Sequence, residues 1–307
     1  MKIENQQNLD DEINLKELFL IFWNQKLLIT SITTLAAIAS VLYALSLPNI
    51  YSSSALLAPA SVEDSLSSKL GGYSSLAGLA GISLPSDSGG KSTEAIERIK
   101  SYDFFIDQFV PNIKFENLVA ANKWDQGTNN IDYDNKIFDK IDNKWTRDSK
   151  SLPAKPSNQE AYEVYTDILS ISESKKTSFV SISIQHVSPL ISQKWLKLII
   201  NNINNHMREL DKNLAVNSID FLNIRAQEAS LSEIKAVISQ LLQSQMQTLT
   251  LAESTKDYVY KILSSPIAPE KKSEPSRALI CILGTFLGGI FSVVLSIFLH
   301  YFNLKKD

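Results

Sequence analysis

The chain has 307 residues, a formal net charge of −3 and a single cysteine. The slight acidic excess and the dispersed basic residues exclude a nucleic-acid-binding protein that relies on a basic surface. A single cysteine excludes a disulfide within the chain, so any stable domain depends on a packed core. Apolar residues are unevenly placed, with one long run near each end.

Residues 1–26 form a leader that contains a predicted amphipathic helix. Its apolar residues recur at helical spacing and make one stripe: Leu15, Leu18, Phe19, Phe22 and Trp23. Such a helix either lies along the inner membrane interface or extends the following apolar helix outward. Both interpretations stay open from the sequence.

Residues 27–47 contain no Asp, Glu, Lys or Arg. A helix rises about 1.5 Å per residue, so this run can cross a hydrocarbon core of about 30 Å. The alternative is a cleaved signal peptide, with Ala44 to Ser46 as a small-residue cleavage site. The preceding leader is long and has more acids than bases, unlike a signal leader. We therefore predict an uncleaved transmembrane helix at 27–47.

Residues 48–276 are polar enough to form a soluble domain. Both strand patterns and helix patterns occur in them. Two strands are predicted, at Tyr51–Pro59 and Phe179–His186, where apolar and polar residues alternate. Helical spacing predicts a helix from Thr93 to Phe109, and Ser188 followed by Pro189 is a strong helix start. The Ser/Gly-rich segment 61–90 is predicted as a loop or a short helix, and the segment 123–155 is predicted as a loop. The pattern indicates an α+β domain.

A long helical run is predicted at 190–262. No Gly or Pro occurs between Leu190 and Ser265, and good helix formers dominate. A single helix of this length is too long for a small domain to bury, so part of it is expected to project and pack on neighbouring copies of the chain. The alternative is two helices folded back near 211–217.

A proline-spaced segment precedes the second apolar run. Pro266, Pro269 and Pro275 prevent a helix and deliver the chain stiffly to residues 277–302, the second predicted transmembrane helix, followed by a tail at 303–307. Small residues recur every fourth position in both apolar runs, a spacing that lets helices approach closely in lipid. They are Ala36, Ser40 and Ala44 in the first run and Gly284, Gly288 and Ser292 in the second. Ordinary use of small residues is the alternative interpretation.

Two transmembrane helices return both termini to one side of the membrane. Lys26, Lys305 and Lys306 favour cytoplasmic termini, whereas Lys271, Lys272 and Arg277 lie before the second run on the opposite side. We expect cytoplasmic termini and place the domain 48–276 on the opposite side of the membrane.

No residue pattern indicates catalysis, a cofactor or a metal. Gly89 to Ser92 imitates the end of a phosphate-binding loop, but Pro85 occupies the position of its required glycine. The three histidines, His186, His206 and His300, have no second ligand at metal spacing. Asp132 and Asp134 resemble the start of a calcium loop that Lys136 and Ile137 interrupt. We predict a protein that is not an enzyme.

Several segments resemble the Wzz-type chain-length determinants, or polysaccharide co-polymerases, of Gram-negative inner membranes. They are INLKELFLIFWNQKLLI, LPNIYSSSALLAP, IERIKSYDFFIDQF, TSFVSISIQHVSP and YVYKILSSPIAPEKKSEPSRALICILGTFLGG. The most specific are the segment after the first apolar run and the proline-rich entry to the second, with Pro266, Pro269, Pro275, Gly284 and Gly288.

The resemblance implies an α+β periplasmic domain with a long projecting helix, flanked by two transmembrane helices and assembled as a homo-oligomer. It also implies a role in setting the length of O-antigen or a related lipopolysaccharide glycan, with a Wzy-type polymerase and the lipid-linked growing polysaccharide as partners. Larger relatives carry a tyrosine-kinase domain after the second helix, and five residues after position 302 suit the kinase-free type. The alternatives are a polysaccharide export adaptor without catalytic activity and a membrane-anchored glycosidase.

Overall fold

The computed structural model describes residues 22–60, 88–147 and 153–304. The chain divides into two units, one built from the two ends up to Asn49 and from Ser273, the other from Ile50–Lys272. The predicted leader helix, most of which precedes residue 22, and most of the Ser/Gly-rich segment lie outside the described residues.

Eight α-helices occur in the described residues: α1 (Lys26–Ser46), α2 (Ser88–Lys100), α3 (Tyr102–Phe104), α4 (Phe115–Val119), α5 (Asn158–Ile168), α6 (Pro189–Glu228), α7 (Ser232–Ser254) and α8 (Arg277–Leu304). A π-helix (Phe105–Phe109) and a 3₁₀ turn (Val110–Asn112) follow α3. The strands described are β1 (Tyr51–Pro59), β2 (Ala121–Asp125), β3 (Asn130–Tyr133), β4 (Phe138–Asp139), β5 (Lys144–Trp145), β6 (Leu169–Glu173), β7 (Val180–His186) and β8 (Tyr260–Ser264).

The first unit contains α1 and α8, which pack against each other in antiparallel directions. Both helices are long and apolar enough to cross a membrane. Their large apolar side chains point outward; Leu35 is 71% exposed and Phe286 is 62% exposed. Small side chains fill the contact between the helices, as described below.

The second unit is built on a four-stranded antiparallel sheet with the strand order β6-β7-β1-β8. The alternation predicted for β1 and β7 is confirmed: Val180, Ile182 and Ile184 are fully buried on one face. The first half of α6 covers that face with Trp195, Leu196, Ile199, Ile200 and Ile203. This packing fixes where α6 begins relative to the sheet.

The helix predicted at 93–109 is interrupted. α2 ends at Lys100, and the side chain of Ser101 accepts a hydrogen bond from Phe104 N to start α3. The chain then continues as a π-helix that buries Phe105 and Phe109 against Tyr165. Because the helix breaks there, the rings of Phe105 and Phe109 lie in the core. A straight continuation of α2 would direct them elsewhere.

Most of residues 121–145 fall in the loop predicted at 123–155, but they contain two short antiparallel ribbons, β2–β3 and β4–β5. The loop prediction was wrong there because strands of two to five residues carry almost no alternating pattern. Aromatic contacts hold the second ribbon together; the rings of Phe138 and Trp145 lie 4.9 Å apart.

The prediction of a helical run at 190–262 was wrong in two respects. The chain turns at residues 229–231 between α6 and α7, and Tyr260–Ser264 is an edge strand of the sheet. The fold-back occurs, although well after the predicted position at 211–217. α6 has 40 residues and is about 60 Å long; beyond Met207 its one fully buried residue is Ala215. The predicted fold class, an α+β domain with a long helix and two flanking apolar helices, is confirmed.

Candidate functional site

The two rows of small residues predicted from the sequence face each other between α1 and α8. A Cβ added to Gly284 would lie 2.5 Å from the Cβ of Ser40, and one added to Gly288 would lie still closer to the Cβ of Ala36. Glycine is therefore required at both positions for the helices to be this close. Ser292 is fully buried, and its Oγ lies 3.3 Å from Thr33 Oγ1. Ala44 is 1% exposed and completes the contact near the end of α1.

Arg277, the first residue of α8, binds the end of α1. Its Nε donates to the carbonyl oxygen of Ala44 at 3.1 Å, and its Nη2 donates to Leu47 O at 3.4 Å and Asn49 Oδ1 at 3.1 Å. The last carbonyls of a helix have no partner within the helix, and a cation there also interacts favourably with the helix dipole. Arg277 thus closes the helix pair at this end.

The segment between β8 and α8 contains Pro266, Pro269 and Pro275. Pro266 is buried, and its carbonyl oxygen accepts a hydrogen bond from Gln193 Nε2 at 2.9 Å. The next carbonyl, that of Ile267, accepts from Ser53 Oγ at 2.8 Å. Pro269 and Pro275 are half-buried. The segment is therefore attached to α6 at Pro266 and to β1 at Ile267.

A hydrogen-bonded clamp joins the base of the α6–α7 hairpin to the sheet. The side chain of Asn204, buried in α6, accepts from Val259 N and Tyr260 N at 2.9 Å each and donates to Tyr260 O at 3.0 Å. The Asn204 side chain thus makes the hydrogen bonds that a neighbouring strand would otherwise make with the start of β8. No sequence motif indicates this role, since Asn204 stands in a run of similar polar residues.

A second set of contacts surrounds the clamp. Asp211 Oδ2 accepts from Lys91 Nζ at 2.8 Å and from Tyr258 OH at 2.6 Å. Burial, followed by the contact with Asp211, raises the pKa of Tyr258, and burial raises the pKa of Tyr260 to about 12. Both phenols therefore stay protonated and donate at neutral pH.

The residues that imitated chemical motifs have structural partners. The Lys91 ammonium pairs with the Asp211 carboxylate. His186 is buried; its Nδ1 accepts from Ser188 N, and its Nε2 lies 2.9 Å from Asn117 O. Burial lowers the pKa of His186 to about 4, so the ring is neutral. Asp134 Oδ1 accepts from Lys136 N in a turn.

One open groove lies between α2, the π-helix region and α6. It has a volume of about 380 Å³, and its lining includes the carboxylates of Glu94, Glu97, Asp103 and Asp107 together with His206. Within the described residues, no group of three or more His, Cys, Asp or Glu could hold a metal ion. The side chain of His300 lies outside the described part of the chain.

The outer half of the α6–α7 hairpin exposes many apolar side chains. On α6 these include Leu214, Phe221 and Ile224, which are 65%, 56% and 58% exposed. On α7, Ile234, Val237 and Leu241 recur at positions i, i+3 and i+7 and are 47%, 47% and 37% exposed. Stripes of this kind on paired helices are typical of surfaces that a further helix covers.

The family model described as Wzz, chain length determinant protein, matches residues 11–107. No curated protein sequence matches the chain significantly.

Two solved structures align over most of the chain. A full-length bacterial polysaccharide co-polymerase is 14% identical, with 94% of this chain and 98% of that chain covered and a TM-score of 0.44. A fragment of WzzB, a polysaccharide co-polymerase from Salmonella Typhimurium, is 19% identical, with 74% and 100% covered and a TM-score of 0.33. TM-scores this low carry no conclusion about this chain. The family match includes the first apolar helix and the strand that follows it, and it bears out the resemblance to the Wzz chain length determinant family over residues 11–107.

Proposed function

We propose that this protein regulates the chain length of a surface polysaccharide, O-antigen or a related lipopolysaccharide glycan, as a membrane-anchored homo-oligomer. The observation that carries the proposal is the match of residues 11–107 to the chain length determinant family. The role needs no bond chemistry on this chain, so it suits a protein whose polar clusters have structural partners. We propose a regulator and not an enzyme.

The proposed location is the bacterial inner membrane, with α1 and α8 as spanning helices, the domain 48–276 in the periplasm and both termini in the cytoplasm. Two features support it. Both helices are long and apolar enough to span, and their mutual contact is made by small residues while large apolar side chains face outward. That distribution is favourable in lipid and costly in water.

The exposed apolar stripes of the α6–α7 hairpin support homo-oligomerisation. Between residues 208 and 251, all of which the structure describes, only Ala215 and Ile238 are buried. One copy alone therefore leaves the remaining apolar side chains of the outer hairpin exposed or half-buried. Stripes from neighbouring copies can cover one another, as in helical bundles. We propose that this surface is the contact between copies.

Chain-length control then follows from repeated weak contacts. A homo-oligomer presents the same surface several times to the lipid-linked growing polysaccharide, to a Wzy-type polymerase, or to both. Contacts that are weak individually become effective when several act on one partner. Extension stops when the combined contacts favour release.

The decisive experiment compares the surface polysaccharide of a deletion strain with that of the same strain carrying the gene. Gel electrophoresis should show a clustered distribution of chain lengths that becomes unclustered on deletion and returns on complementation. An unchanged distribution would contradict the proposal for that polymer. Loss of surface polysaccharide with accumulation inside the cell would instead favour an export adaptor.

The contact between copies has its own test. Phe221→Glu places a charge within the exposed stripe, whereas Asn223→Glu places one on an exposed position on another side of the same helix. The first variant should reduce the oligomer mass measured in detergent and flatten the polysaccharide distribution. Equal oligomer masses for both variants would refute the role of this surface.

A further inference from the structure

An isoleucine at the tip of the β4–β5 ribbon is almost completely exposed. Ile141 is 94% exposed, more than any other large apolar side chain described. Its turn is ordered by Asp139, whose Oδ1 accepts from Ile141 N at 2.8 Å and from Asp142 N at 3.3 Å. Turns usually place polar residues at such positions, so the isoleucine calls for a cause other than folding.

Two further aliphatic residues are exposed near one end of the sheet. Leu190, in the first turn of α6, is 46% exposed, and Ile267 is 68% exposed. Both lie close to the end where β1 begins and β7 finishes, because Tyr51 pairs with His186 there. Ile267 O binds Ser53, and α6 begins three residues after His186.

The segment that carries Ile141 is attached to the same end of the sheet. The Trp124 ring contacts the Tyr51 ring with centroids 5.6 Å apart. Asn117 joins two parts of this region, since its carbonyl oxygen lies 2.9 Å from His186 Nε2 and its Oδ1 accepts from Tyr133 OH at 2.6 Å. Lys140, next to Ile141, donates to Ile131 O in the neighbouring ribbon at 2.9 Å.

This end of the sheet is also the end that the chain enters from α1. Tyr51 follows Leu47 by four residues, which can extend at most about 14 Å. The interfacial layer of a bilayer is about 6 Å deep on each side or slightly more. Half-buried tryptophan and tyrosine rings with nearby lysines are the side chains that favour this layer.

We propose that Ile141, Leu190 and Ile267 form a lipid-contact surface that rests on the headgroup layer of the membrane. The tip of the ribbon carries balanced charges, with Asp139 and Asp142 beside Lys140 and Lys144, which suits zwitterionic phospholipids. The inference rests on the proposed membrane-spanning role of α1 and α8. It adds a second attachment, made by the aqueous domain itself.

Fluorescence quenching in vesicles tests the surface with the full-length protein. Ile141→Cys in a Cys281→Ser background is labelled with an environment-sensitive fluorophore and reconstituted into phosphatidylethanolamine–phosphatidylglycerol vesicles. Lys176→Cys is the matched control, because it lies in the exposed β6–β7 turn at the opposite end of the sheet, about 20 Å along the strands from the first residue of β1. The natural Cys281, in α8, is labelled separately as a probe of the spanning helices.

Nitroxide carried on lipid headgroups should strongly quench the label at position 141 and leave the label at 176 unaffected. Ile267→Cys is the second variant and should also be quenched, which separates the inference from any local distortion of the ribbon. Equal quenching at 141 and 176, with Cys281 quenched by acyl-chain nitroxide, would overturn the lipid-contact surface and leave the membrane location intact. Absence of quenching at Cys281 would contradict the membrane location as well.

A blue-shifted but unquenched label at 141 would show that protein covers the tip, and would also overturn the inference.

Discussion

Replacing Gly288 with alanine tests the contact between α1 and α8 with the smallest possible change. A Cβ at this position falls on the Cβ of Ala36, and neither carbon can rotate away. The adjacent Gly289 is a matched control, because a Cβ there would have its nearest neighbour, Thr33 Cγ2, 4.0 Å away. The same substitution should therefore destabilise the helix pair at Gly288 and leave it almost unchanged at Gly289.

The magnitude follows from the geometry. Forcing an extra carbon into a tight contact costs about 1–3 kcal/mol, which lowers the ratio of packed to separated helices about 5- to 140-fold. At Gly289 the added methyl group has room, and the helix propensity of alanine acts on the packed and the separated helices alike. The two variants should thus differ by roughly 1–3 kcal/mol in the stability of the helix pair.

Disulfide formation measures the packed fraction directly. Thr33 and Ser292 have side-chain oxygens 3.3 Å apart, so cysteines at both positions, in a Cys281→Ser background, should cross-link readily in membranes. Gly288→Ala should slow this cross-linking, and Ala36→Gly in the same chain should restore much of it by removing the opposing Cβ. Equal cross-linking rates for Gly288→Ala and Gly289→Ala would refute the close contact.

Three further outcomes are expected. Asn204→Leu leaves two buried N–H groups without an acceptor, costing about 2–6 kcal/mol, and should lower the melting temperature far more than Asn205→Leu at the exposed neighbouring position. Burial lowers the pKa of His186 to about 4 against about 6.5 when unfolded. Between pH 4 and pH 6.5 the unfolded chain therefore binds more protons than the folded chain. The contribution of His186 to stability is complete above about pH 6.5 and falls towards pH 4. In denaturant titrations, His186→Gln should reduce the slope of the unfolding free energy against pH by about 1.4 kcal/mol per pH unit. Arg277→Gln removes the donors that bind the end of α1 and should slow the cross-linking described above, with Arg277→Lys failing to rescue it because lysine lacks the forked geometry.

Elements with a strong pattern were predictable from the sequence. The alternation of Val180, Ile182 and Ile184 predicted β7 because one face of that strand is fully buried. The Ser188–Pro189 pair predicted where α6 begins, and the structure confirms the start, although the Ser188 side chain makes no capping hydrogen bond. The apolar composition of residues 27–47 and 277–302 was enough to predict the two apolar helices.

The turn between α6 and α7 was not predictable by the same reasoning. Its residues, Ala229, Ser230 and Leu231, include neither glycine nor proline. The chain folds back there because α7 packs along α6, for example through the Lys212–Glu253 ion pair, and such a tertiary cause leaves no local signal. The small ribbons were missed because they are too short for a period to be measured.

The candidate site was only partly accessible from the sequence. The four-residue spacing of small residues identified the rows in α1 and α8 but not which residues oppose each other, such as Gly284 and Ser40. Asn204 and Arg277 were missed as functional contacts, because a single polar residue acting on distant backbone atoms has no motif.

The Asn204 side chain fixes the base of the α6–α7 hairpin to the start of β8. The 55 residues between Asn204 and Tyr260 leave the sheet and return to it, and the Asn204 side chain grips the returning strand where it arrives. A displacement of the hairpin base relative to the sheet therefore has to break the hydrogen bonds of Asn204 with Val259 and Tyr260. The hairpin base and the start of β8 move as one body as long as these hydrogen bonds hold.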